Sequence, residues 1–262
     1  TDDMWKLNNL KGTNVLVTGA TSGIGRAIAL ACAAEGASLV VCGRRADALH
    51  SLALELKSVG AAAVWARPLD VRSRNAVLEW WAAVPAEFRP LDVLVNNAGL
   101  ARGFANVREN HSEDWDEMVD TNLKGLLYVT QAALPDLLSR DSGHIVNIGS
   151  LAGVAAYPQG AVYCATKAAV KIFTDGLRQD LADTAIRVTN IQPGMVETEF
   201  STVRFNGDAD RAKAVYRGIV PLSAEDIAAT VMFALQAPPH VQICELTVTP
   251  THQATGGVVH RK

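Results

Sequence analysis

Asn14-Val-Leu-Val-Thr-Gly-Ala-Thr-Ser-Gly-Ile-Gly25 is the stretch that decides the fold. Its first part, Asn14 to Thr18, is apolar and β-branched, the composition of a strand buried on both faces. Its second part, Thr18-Gly19-Ala20-Thr21-Ser22-Gly23-Ile24-Gly25, is a glycine-rich turn that opens an Ala-rich helical run from Ile24 to Glu35. In such a turn Gly19 permits the tight bend, Gly23 lets the backbone approach a pyrophosphate, and Gly25 lets helix and strand pack closely. The helix that follows aims free N–H groups and the positive end of its dipole at phosphates. A glycine-rich turn without a ligand is the plainer reading. The strand before it and the helix after it favour a dinucleotide site.

The same plan recurs outward from this unit. Ser38-Leu-Val-Val-Cys42, Ala62 to Arg67, Asp92 to Asn96, His144-Ile-Val-Asn-Ile148, Arg187-Val-Thr-Asn-Ile191 and Glu245 to Thr249 read as further strands, with helical patterns between. Ala46 to Val59 sets Leu49, Leu52, Leu56 and Val59 on one stripe, and a long helix is expected from Asn122 to Leu138. A last helix, Ser223 to Leu235, opens on the capping-box signal Ser223-x-x-Asp226. Apolar strands alternating with helices predict a parallel, doubly wound α/β sheet with right-handed crossovers. No repeat or linker divides residues 1–262, so a single domain is expected. The polar stretch from Thr198 to Gly218, with Asn206-Gly207-Asp208, reads as a long loop with a short helix and is the candidate lid over a site.

Composition sets outer bounds. A net charge of -3 with 19% charged residues provides no basic field for nucleic acid. No apolar run approaches the roughly 18–20 residues that span a bilayer. Thr1 to Lys11 is polar and lacks the apolar core of a signal peptide. Cys32, Cys42, Cys164 and Cys244 form no Cys-x-x-Cys, and the expectation is reduced thiols in a cytoplasmic protein. The scattered histidines contain no His-Glu-x-x-His, so no metal site is expected.

Which dinucleotide is read at the end of the second strand. An NAD site usually places a carboxylate there for the ribose 2′-OH, and here the sequence is Cys42-Gly43-Arg44-Arg45. Two guanidiniums suit the 2′-phosphate of NADP, since each offers charged, forked hydrogen bonds; the plainer reading is a pair of solvated charges. Asp70-Val71, ending the third strand, is placed to hold the adenine edge. Asn96-Asn97-Ala98-Gly99 ends the fourth: the asparagines can tie strand ends together or bind, and Gly99 lets the backbone pass the cofactor.

The chemistry is expected at Tyr163-Cys-Ala-Thr-Lys167, where the i, i+4 spacing puts phenol and ammonium on one helix face. A carbonyl becoming an alcohol needs a proton, and a phenol near pKa 10 gains base strength when an ammonium stabilises its anion. Ser150, at the end of the fifth strand, can hydrogen-bond the substrate oxygen. Asn122 can fix a water in a proton relay through Lys167. Taken singly, Ser150 and Asn122 read as ordinary caps. Together, at one edge of one sheet, the four form a constellation.

These motifs, in this order and with Pro193-Gly194, resemble the short-chain dehydrogenases/reductases over roughly residues 7 to 252. The resemblance implies a seven-stranded Rossmann sheet, hydride transfer at the nicotinamide, and a catalytic tetrad of Asn122, Ser150, Tyr163 and Lys167. It also implies that Lys167 holds the nicotinamide ribose, that Val196 and Thr198 contact the carboxamide, and that the protein forms homotetramers or dimers. Pro193-Gly-Met-Val-Glu-Thr-Glu-Phe-Ser201 with Val203-Arg204-Phe205-x-Gly207-Asp208 is similar to the NADP-dependent 3-hydroxy acid dehydrogenases, as are Pro250-x-x-Gln253 and His260-Arg261. Gln159 and Arg102 depart from that pattern near the expected substrate pocket, and Arg204 is the candidate counter-charge for an acidic substrate. Two other readings stay open: a reductase of another ketone in the same family, and a dinucleotide-sensing protein without chemistry.

Overall fold

A computed structural model describes residues 8–262. Most of the polar opening read for a leader, Thr1 to Lys11, lies outside the described residues. Seven parallel strands form one sheet in the order β3-β2-β1-β4-β5-β6-β7. They are β1 (Asn14–Val17), β2 (Ser38–Gly43), β3 (Ala63–Pro68), β4 (Val93–Asn96), β5 (Gly143–Ile148), β6 (Ile186–Pro193) and β7 (Glu245–Val248). The expected strands are all present, with ends shifted by a residue or two. Alternation along β1 shows why its run is apolar throughout. Val15 and Val17 face one core with Ile28, Leu49, Leu56 and Ile227, while Leu16 faces the other with Trp81, Leu137 and Leu177.

Helices α1 (Gly23–Ala34), α2 (Ala46–Val59) and α9 (Ala224–Gln236) cover the first face. Helices α3 (Arg74–Ala82), α5 (Leu126–Arg140) and α6 (Ala161–Asp180) cover the second. The α2 stripe is buried at Leu49, Leu52 and Leu56, but Val59, in the last turn, is exposed. The capping box of α9 forms as expected: the Ser223 hydroxyl accepts from the Asp226 N–H, and the Asp226 carboxylate accepts from the Ser223 N–H.

Two expectations are corrected. Asn122 does not open a helix. It sits mid-way along a continuous helix in which α4 (Ser112–Val119) passes through a π-helical turn (Asp120–Gly125) into α5. The segment 198–218 is not a loop with one short helix but carries two, α7 (Glu199–Arg204) and α8 (Ala209–Ala214).

The chain winds outward from β1 to β3 and then resumes at β4 on the other side of β1. This reversal opens a crevice beyond the carboxyl ends of β1 and β4, where ligands of such sheets bind.

Candidate active site

The crevice is a cavity of about 970 Å³ running from the glycine turn to α7. It is lined by all the cofactor residues named from the sequence except Gly25, which is buried behind them. Gly19 has φ +63°, and a Cβ there would stand 2.8 Å from the Ala98 backbone, so no other residue fits without a shift. The Asn97 amide explains how the turn is held: its Nδ2 donates to the carbonyls of Thr18 (2.9 Å) and Gly19 (3.2 Å). Asn96 is buried and structural, donating to Thr130 Oγ1 and Asn147 Oδ1, both at 2.9 Å. At the head of α1 the Ser22 side chain makes no cap, so no side chain there claims the first-turn N–H groups.

Arg44 and Arg45 stand exposed at the mouth beyond β2. Arg45 reaches Thr21, with Nη2 donating to both its carbonyl and hydroxyl at 3.3 Å, and pairs with Glu199 of α7 at 3.1 Å. Arg44 meets Glu117 at 3.4 Å. Asp70 does line the cavity, but its carboxylate is committed to Arg72 at 2.6–3.0 Å, which holds it below the usual carboxylate range. Arg72, which lies 3.6 Å from Glu117, is a third guanidinium at this end that the sequence reading passed over.

At the other end, Tyr163 and Lys167 project from α6 and are buried at 8% and 6% exposure. The Lys167 ammonium donates to the Ile148 carbonyl at 2.8 Å, and burial brings it down to about 8. Burial likewise pushes the Tyr163 phenol above its ordinary range; Tyr157 adds to this, and Ser150 and Arg204 oppose it. Burial outweighs the expected lowering by the Lys167 ammonium. Tyr163 is therefore a neutral proton donor at neutral pH. Ser150 Oγ caps the turn after β5, accepting from Ala152 N at 3.1 Å, and also lines the cavity.

Asn122 lies behind the cavity wall at 1% exposure rather than in it. The π turn aims its amide at Leu100, whose N–H and C=O it pairs at 2.8 Å each, and at Thr166 Oγ1 at 3.0 Å. Gly99 runs between them: a Cβ there would stand 3.2 Å from Asn122 Oδ1 and 3.4 Å from Lys167 Nζ. Asn122, Ser150, Tyr163 and Lys167 thus gather at the neighbouring ends of β4 and β5.

The substrate-end residues divide. Gln159, in the left-handed region at φ +64°, and Arg204 line the cavity. Arg102 does not: its guanidinium is on Glu117 at 2.6 Å and the Val203 carbonyl at 2.8 Å, where it straps α7 to α4. The Thr198 hydroxyl caps α7, accepting from Phe200 N at 3.2 Å. The sequence reading missed Phe104, Tyr157 and the wall formed by Gln253, Gly256, Gly257 and Val259. Gln253 was legible as part of a shared tail pattern, and its Oε1 accepts from Met195 N at 2.8 Å. Nothing in the local sequence marks Phe104.

Residues 13–208 match the family model of the short chain dehydrogenases. The chain belongs to that family. Among its fellow short-chain dehydrogenases it is 47% identical over 249 residues to a Salmonella typhi NADP-dependent 3-hydroxy acid dehydrogenase, covering 94% of this chain and 99% of that one. It is 46% identical over 241 residues to sulfoacetaldehyde reductase 2 of Chromohalobacter salexigens, covering 92% and 95%. Among solved structures, the closed form of a serine dehydrogenase complexed with NADP+ superposes with a TM-score of 0.89 at 46% identity, covering 95% of this short-chain dehydrogenase and 99% of that chain. None of its described helices is long and apolar enough to cross a membrane.

Proposed function

We propose that this enzyme interconverts a hydroxyl and a carbonyl on a small 3-hydroxy acid or a close anionic analogue, with NADP(H) as hydride carrier and Tyr163 as acid/base. The cavity's own features support the cofactor. The close-fitting glycine turn, the uncapped head of α1 and the exposed Arg44 and Arg45 at the cavity mouth match a pyrophosphate and a 2′-phosphate. Val196 and Thr198 would meet the nicotinamide end, and Asp70 and Val71 the adenine end, with Asp70 offering its edge from beside Arg72. When bound, NADPH supplies the hydride and NADP+ accepts it.

The chain's own groups handle the proton. In reduction the neutral Tyr163 phenol donates to the carbonyl oxygen while the Ser150 hydroxyl holds that oxygen in place. Lys167, anchored on Ile148, and Asn122, anchored on Leu100, order the proton path behind it. Oxidation runs the same path in reverse.

The substrate class rests on one observation. The Arg204 guanidinium lies 5.9 Å from the Tyr163 ring, inside the cavity. In a 3-hydroxy acid one carbon separates the acid group from the carbon that reacts, and sulfoacetaldehyde has the same spacing with a sulfonate. A cation at this distance from the proton donor fits both. The segment 198–218 serves as the lid, and its α7 carries Arg204. Arg204→Met is expected to raise KM for 3-hydroxypropionate about ten- to a hundredfold, the worth of a charged hydrogen bond. It should lower the acid-to-neutral ratio of kcat/KM equally. An unchanged ratio, or a wild type that ignores hydroxy acids, would overturn the reading. Assembly as a homotetramer or dimer in the cytoplasm completes the proposal; sedimentation velocity checks the assembly.

A further inference from the structure

Tyr157 was not among the residues singled out by motif, yet it occupies the centre of the substrate end. Its hydroxyl accepts a hydrogen bond from Arg204 Nη1 at 2.9 Å, while Arg204 Nε is held by the Gly103 carbonyl at 3.1 Å. The guanidinium is boxed by rings, 4.7 Å from the centre of Phe104 and 5.5 Å from that of Tyr157. Among the described residues no protein acceptor takes Arg204 Nη2 or the proton of the Tyr157 hydroxyl. Two donors, one of them charged, are left at one spot in the cavity wall.

The backbone enforces this placement. Gly160, just before α6, leaves room that a Cβ would deny to the Tyr157 ring, and a Cβ on Gly256 would come within 3.0 Å of it from the opposite segment. Phe104 stacks on its face with centroids 6.4 Å apart. Burial raises the Tyr157 phenol above its ordinary range, so it is protonated at neutral pH and can donate. A carboxylate or sulfonate has several lone pairs on adjacent oxygens and can accept from both groups at once, whereas a neutral alkyl end cannot.

We propose, building on the anionic-substrate reading above, that Tyr157 and Arg204 form a two-donor anion subsite and that Tyr157 is a second residue setting the preference for acids. Arg204 supplies charge and Tyr157 supplies direction, since its hydroxyl both pins the guanidinium and reaches for the same anion.

Propionate, an acid with no hydroxyl to oxidise, is the probe. Its Ki against 3-hydroxypropionate is measured with NADP+ for wild type, Tyr157→Phe, Arg204→Met and the double variant, beside the acid-to-neutral ratio of kcat/KM and the Kd for NADPH. Tyr157→Phe keeps the ring and is expected to raise Ki, and to lower the ratio, about tenfold. The double variant is expected to lose less than the product of the single losses, because the two groups share one anion and one hydrogen bond. Tyr157→Phe with wild-type Ki and ratio, beside an Arg204→Met variant that shifts both, overturns this inference and leaves the anionic-substrate reading standing. A Tyr157→Phe variant that weakens NADPH as much as propionate also overturns it, since the role is then structural. A wild type that neither binds propionate nor oxidises 3-hydroxy acids overturns both.

Discussion

Two buried residues carry the predictions at the scale of single side chains. Tyr163 is desolvated and lines the cavity, and the proposed mechanism has its hydroxyl exchange a proton with the substrate oxygen. Tyr163→Phe keeps the ring, so turnover is expected to fall by roughly 10²–10⁴-fold with NADPH affinity retained, as measured by steady-state rates and fluorescence titration. His144 bears on stability. It is fully enclosed in β5, its Nε2 is 2.7 Å from Thr189 Oγ1, and burial, aided by Arg187, depresses its pKa well below 6.5. Below pH 6.5 the unfolded chain therefore takes up a proton that the folded chain refuses, and stability falls by up to about 1.4 kcal/mol per pH unit. His144→Gln is expected to flatten the decline in Tm between pH 6.5 and 5 by about 2–4 °C. An unaltered slope would assign the acid sensitivity to other groups. The acid/base pair was legible because its spacing is local. Tyr157 was not, because its role depends on Arg204, 47 positions away in the chain.

At the scale of elements, the proposed choice of cofactor falls to the turn between β2 and α2. Arg44 and Arg45 are exposed, and their partners Glu117 and Glu199 hold them loosely, at 3.4 and 3.1 Å. A phosphate dianion competes well with such surface pairs, which are worth little by themselves. Arg44→Ala with Arg45→Ala is expected to weaken NADPH by one to two powers of ten and NADH by far less. Equal losses for the two cofactors would remove these arginines from 2′-phosphate recognition. Strands and long helices were readable because a period of 2 or 3.6 repeats within each. The π turn left no such mark: it adds one residue within an otherwise regular helical run, and its amide partner Leu100 lies 22 positions away. The split of 198–218 into α7 and α8 was equally hidden, since each has six residues, too few for a periodic pattern.

For the whole molecule, the cofactor crevice draws on β1, β2, β4 and β6 ends at once, so a ligand there ties both halves of the sheet. NADPH at about a hundred times its Kd is expected to stabilise the fold by about 2.7 kcal/mol, a rise in Tm of roughly 5–10 °C by differential scanning fluorimetry. NADH at the same concentration should shift it less, and equal shifts would count against a 2′-phosphate site. The continuous helix from α4 to α5 has a consequence for how this chain can vary. On one side of its π turn Glu117 gathers Arg44, Arg72 and Arg102; within the turn Asn122 grips Leu100. A π turn holds one residue more than an α turn. Deleting one residue from Asp120–Gly125 would let the helix close regularly with α4 and α5 near their present phase, but would remove the wide turn that aims Asn122 at Leu100. Glu117 would keep its arginines while Asn122 left the Leu100 backbone. Shortening this rod by one letter would thus spare its ends and open the wall behind the proton donor.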